Sequence, residues 1–127
     1  MLPTQYLRDY QDLYQAIQQL QQQCDFQPTM QPSGLQAEAR SHFQQVQQLF
    51  QQILALPWDE LDPQMTAPAQ AINIEINKQL RLLNMDLMFL GSARQAVTAT
   101  QRQQQLRDRL TLLLRYCEAI LQEESSP

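Results

Sequence analysis

Apolar residues return every three or four positions along most of this chain, and that period admits one regular structure. Tyr6, Tyr10, Leu13, Ile17, Leu20 and Cys24 form the first run, and Ala39, Phe43, Val46, Phe50 and Ile53 the second. Ile76, Leu80, Leu83, Leu87 and Leu90 form the third, and Leu106, Leu110, Leu113, Cys117 and Ile120 the fourth. A strand shows alternate residues to one face, whereas a helix brings together positions three and four apart, so each run predicts an amphipathic helix. Four helices of similar length follow. The 127 residues make one domain, large enough to bury roughly two thirds of its unfolded surface around a single core.

Local chemistry predicts where the helices end. In "QPTMQPSG", residues 27–34, two prolines and a glycine separate the first helix from the second, which is expected to start near Leu35. Pro57 ends the second. Asp62 or Thr66 can cap the third, with Pro63 or Pro68 in its first turn. Thr66 is the better choice, because a start at Asp62 would put Pro68 too deep in the helix. Thr100 and Gln103 have the form of a capping box for the fourth. The helices are therefore expected over residues 4–24, 35–56, 66–90 and 100–123, with the only two glycines, Gly34 and Gly91, between helices. Three short connections suit an all-α, antiparallel up-down-up-down four-helix bundle. That topology puts Cys24 and Cys117 at opposite ends, which argues against a disulfide and for two small buried hydrophobes.

Several functions are poorly served by this sequence. About one residue in five is glutamine, but apolar residues interrupt the glutamine runs at helical spacing, so they read as solvated helix faces. The single histidine, His42, has Glu38 one turn earlier and no ligand cluster around it, so no metal site or cofactor is expected. With no base for a serine nucleophile, and with Asp59 and Glu60 in a proline-rich connection, an enzyme is not expected. No window has the eighteen or so apolar residues of a membrane span, and the start lacks the pattern of a secretory signal, so a cytoplasmic location is expected.

The stretch "INKQLRLLNMDLMFLGSARQ", residues 76–95, carries more than it needs for packing. Behind the Leu83 stripe runs a second one, Ile74, Lys78, Arg81, Met85 and Met88, with Leu82 and Phe89 beside it. Leu82 and Phe89 lie close enough to the first stripe to widen the core face and are expected to be buried. Met85 and Met88 lie about 140 to 160 degrees away from it, at the 100 degrees per residue of a helix, and share the side of Lys78 and Arg81. Lys78, Arg81, Met85 and Met88 are thus the candidate partner-binding residues, an apolar patch with a basic border. Charge is divided in the same sense: residues 1–77 hold two basic and eight acidic side chains, whereas residues 78–115 hold Lys78, Arg81, Arg94, Arg102, Arg107, Arg109 and Arg115 against two acids. Such asymmetry steers oppositely charged partners. Nucleic acid is not expected, because the overall pI is about 4.8 and no aromatic residues interleave with the arginines of the fourth helix. A homodimer seam is possible, but it would set cations against their own copies unless the tail "EAILQEESSP" or another acidic surface answers them.

"EINKQLRLLNMDLMFLGSARQ" followed by "RQQQLRDRLTLLLRYCEAIL", together with the opening "MLPTQYLRDYQDLYQ", resembles the PatD family, the heterocyst frequency control proteins of cyanobacteria. The likeness spans essentially the whole chain, is strongest over residues 75–121, and consists of helix residues and not of a chemical motif. It implies a small, non-enzymatic cytoplasmic regulator that contacts the division protein FtsZ, modulates its filament assembly and influences heterocyst frequency. The resemblance brings no residue roles with it. The alternative is a structural or assembly-factor bundle that holds another protein complex together.

Overall fold

The computed structural model describes residues 2–25, 32–92 and 96–125. Four helices account for nearly all of them: α1 (Thr4–Asp25), α2 (Pro32–Leu54), α3 (Pro63–Ser92) and α4 (Ala96–Ser125), with a 3-10 turn at Trp58–Glu60 between α2 and α3. No strand occurs among the described residues. The helices close into a ring in which α1 lies beside α2 and α4, and α3 beside α2 and α4.

Cross-helix contacts fix the directions. Tyr14 Oη donates to Glu118 Oε1 at 2.9 Å, while Gln103 Nε2 donates to the carbonyl of Cys24 at 2.6 Å, so α1 and α4 run antiparallel. Gln23 bonds Glu38 near one end of the α1–α2 pair and Tyr6 meets Trp58 at the other. Phe89 meets Arg102, and Asp86 meets Arg109, across α3 and α4. Neighbours therefore alternate up, down, up, down, as the short connections require.

The core is the one the periodicity predicts. Every residue of the first, second and fourth runs is buried, as are Ile76, Leu80, Leu83 and Leu87 of the third. The side chain of Leu90 lies outside the described residues. Burial of these side chains, at about 1.5 to 3 kcal/mol for each large one, is what packs together four helices that no disulfide joins. Cys24 and Cys117 are both buried, and neither is in a disulfide. Cys24 is level with Gln103, and the 14 residues from there to Cys117 span ~21 Å of helix, far beyond the reach of a disulfide.

The helix boundaries depart from expectation in several places. First, α2 starts at Pro32 and not near Leu35, so Gly34 lies inside its first turn. Proline suits the first helical position because its missing N–H has no helical partner there, and glycine costs little before the ladder of bonds is complete. Gly91 likewise lies in the last turn of α3 and not between helices.

Second, α3 starts at Pro63 and not at Thr66. The Asp62 carboxylate accepts from Gln64 N at 3.0 Å, and the Asp62 carbonyl accepts from Met65 N and Thr66 N, so Asp62 is the cap. Thr66 is buried and donates its hydroxyl to the Pro63 carbonyl. Pro68 is tolerated inside the helix because it and Gln64, whose carbonyl it leaves without an amide, are both exposed to water.

Third, α4 starts at Ala96, so Thr100 and Gln103 lie within it and form no capping box. Gln103 instead donates to the Cys24 carbonyl at the end of α1. Fourth, α2 ends at Leu54 and not at residue 56, and α3 and α4, at 30 residues each, are longer than α1 and α2, at 22 and 23, so the helices are not of similar length.

Candidate functional site

The inner side of α3 decides what its outer side can show. Ile76, Leu80, Leu83 and Leu87 enter the core, and polar residues fasten the flanks. Asn73, buried, accepts a hydrogen bond from Tyr10 Oη of α1 at 2.5 Å. Asp86, also buried, pairs with Arg109 of α4, whose guanidinium reaches Gln79 as well at 3.4 Å. With α1 held across the core through Asn73 and α4 at the flank through Asp86, the helix cannot turn about its axis without unpairing one of them.

The opposite face is left to solvent. Ile74 is 69% exposed, Met85 48% and Met88 50%, and Lys78 and Arg81 between them are exposed too. These five residues, spaced four, three, four and three apart, make a stripe ~21 Å long at the rise of an α-helix. Large apolar side chains in line on a surface are the informative exception in a soluble protein. Toward the start of the stripe, Ile74, Asn77, Lys78, Arg81 and Leu82 line an open groove of about 370 Å³. Its walls are aliphatic and its cations stand on the same side.

Leu82 is half-buried, as a residue that widens the core would be, but Phe89 is not buried. It is 44% exposed and lies under the Arg102 guanidinium of α4, 4.8 Å from ring centroid to Cζ. A cation over the face of a ring offsets part of the cost of its exposure. Phe89 and Met88 extend the apolar surface toward the end of α3.

The basic balance read from the sequence is dispersed in three dimensions. Arg109 is turned inward to Asp86, and Arg102 is shared between Phe89 and Gln105. Arg107 is half-buried and Arg94 lies outside the described residues. Lys78, Arg81 and Arg115 are the exposed cations of this region among the described residues. Of the four candidate residues, all lie on one exposed face.

Comparison with known proteins finds no matching family model, curated protein or solved structure. What the surface can do must be argued from its chemistry.

Chemistry of other kinds has little to work with among the described residues. No group of three metal-ligating side chains occurs among them, and Glu38 bonds Gln23 of α1. No described helix is long and apolar enough to cross a membrane. Burial, with Glu118 nearby, pushes the Cys117 thiol up to about 12, so it is neutral and unreactive at ordinary pH. The glutamines behave as solvated faces: Gln44, Gln47, Gln48, Gln51 and Gln52 line an uncharged groove of about 430 Å³ on α2.

Asn73, Gln79 and Asp86 are the residues that sequence reasoning missed. They position the stripe without belonging to it. Asn73 does fall on the Ile76 stripe, three residues before it, and that polar interruption is the signal that could have marked a buried hydrogen bond.

Proposed function

We propose that this protein is a non-enzymatic regulator that binds a protein partner along the outer face of α3, and that the partner is the division protein FtsZ, whose filament assembly it modulates. The observation that carries the binding surface is the exposed stripe Ile74, Lys78, Arg81, Met85 and Met88, bordered by the groove at its first half. FtsZ comes from the resemblance to the PatD family, as do the cytoplasmic setting and the link to heterocyst frequency. An acidic and apolar segment suits this face: the cations speed encounter and the isoleucine and methionines supply area to bury. Methionine adapts its shape to what it meets.

Calorimetric or sedimentation binding of purified FtsZ tests the proposal. Arg81→Glu and Met85→Asp are each expected to weaken binding by about 1 to 3 kcal/mol, the usual size for a central contact. Both side chains are exposed, so both variants fold. Raised salt should weaken the wild type more than Arg81→Glu. Gln47→Glu, on the exposed face of α2, is the surface control. If both variants bind FtsZ as the wild type does, this face is not the site. If FtsZ does not bind at all and a pull-down instead returns one stoichiometric complex, the assembly-factor reading takes its place.

A further inference from the structure

The acidic half of the sequence comes to a point at the elbow between α2 and α3. Asp59 and Glu60 are exposed on the 3-10 turn, Leu54 is 40% exposed at the end of α2, and Leu61 is half-buried. Two carboxylates thus stand in a segment that also shows aliphatic surface. The groove on α3 has the inverse composition, with Lys78 and Arg81 beside Ile74 and Leu82. We propose that the acidic elbow of one copy of this chain docks in the α3 groove of a second copy.

The elbow cannot serve its own groove. Lys78 is 15 residues past Pro63, which is ~23 Å along α3. The elbow is also held where it is, because the buried Trp58 ring donates from Nε1 to the Ile53 carbonyl at 2.8 Å and packs edge-on against Tyr6. A groove-to-groove seam would set Lys78 and Arg81 against their own copies, whereas an elbow in the groove pairs them with Asp59 and Glu60. The contact is heterologous, since each copy offers one elbow and one groove. Separated along the molecule, both can be engaged at once, and in the open arrangement proposed, where the rotation between copies does not close, association continues past the dimer. The contact is small, and dissociation constants of about 10 µM to 1 mM are expected. Copies docked in this way compete for the groove with any other ligand of α3.

Sedimentation of the full chain from about 10 µM to about 1 mM at low salt is the test, the range being that of a small interface. The weight-average mass should climb past that of two chains, and raising the salt to about half molar should weaken association roughly tenfold. A groove variant, Lys78→Gln with Arg81→Gln, and an elbow variant, Asp59→Asn with Glu60→Gln, should each stay monomeric. Mixed in equal amounts, they should stop at one heterodimer, because only one functional elbow and one functional groove remain. All four side chains are exposed, and helical circular dichroism confirms folding. A monomeric wild type at the highest concentration, a plateau at two wild-type chains, or variants that associate as the wild type does would each overturn the proposal. FtsZ is absent from every sample, so this result and the FtsZ-binding result stand or fall separately.

Discussion

Replacing Tyr10 with phenylalanine should cost far more than the loss of one oxygen suggests. Tyr10 and Asn73 are both buried, and the Tyr10 hydroxyl is the donor that satisfies Asn73 Oδ1, at 2.5 Å. The other end of that amide, Asn73 Nδ2, has no hydrogen-bond partner. Tyr10→Phe keeps the ring, 6.4 Å from Trp58, but strands an amide with neither end paired. A lost hydrogen bond is worth about 1 kcal/mol net, and stranding the buried acceptor brings the total to about 1 to 3 kcal/mol. For a domain of this length, 1 kcal/mol moves the melting temperature by about 4 °C, so a fall of about 4 to 12 °C is expected in a circular dichroism melt. Adding Asn73→Leu, which keeps the branched shape and removes the stranded groups, should recover most of the loss. Tyr6→Phe is the contrast: it lies one turn earlier and its hydroxyl is buried without a partner, so its removal should not lower the melting temperature. A Tyr10→Phe protein that melts with the wild type, or a double variant that melts below the single one, refutes the reasoning.

Leu83→Asp and Leu110→Asp should each unfold the domain, since both positions are fully buried and an unpaired carboxylate there costs several kcal/mol; near-native melting of either would show that the core faces were misassigned. Reducing agent should leave the melting temperature unchanged, because neither cysteine is in a disulfide, and a thiol-alkylating reagent should modify them only after urea is added. Burial raises Cys117 from its ordinary value of 9.0 to about 12, so its contribution to stability is complete below pH 9 and is lost as pH rises toward 12. Urea unfolding at a series of alkaline pH values should therefore show a steeper decline in the wild type than in Cys117→Ala.

The apolar stripes were legible because their period is a property of one helix at a time. Tyr10, Phe50, Leu83 and Leu110 could be assigned to the core from spacing alone, and the exposure of Met85 and Met88 follows from their angle to Leu83. The start of α3 was not legible, because two signals conflicted locally: Asp62 and Pro63 make a good cap and first position, while Pro68 argues for a later start. The conflict is settled by the exposure of Pro68 and Gln64, which is a tertiary fact. Gln103 was misread for a similar reason, since its partner is the carbonyl of Cys24, 79 residues away. The exposure of Phe89 depends on Arg102, on another helix. The stripe itself could be found in one helix; the groups that hold it in place could not.

The buried polar pairs on α3 also set an address. A helix packed by leucines alone presents nearly the same face after sliding by seven residues, and in a bundle such a slip would carry everything on its outer side by ~10.5 Å. Here a slide of that size would take Asn73 away from Tyr10 and Asp86 away from Arg109, leaving buried groups unpaired against two other helices at once. The position of Lys78, Arg81 and Met85 in space is therefore fixed by residues that no partner touches. Substitutions on the outer face can change what is recognised without moving where recognition happens, whereas a change at Asn73 or Asp86 can displace the whole surface while leaving its composition intact.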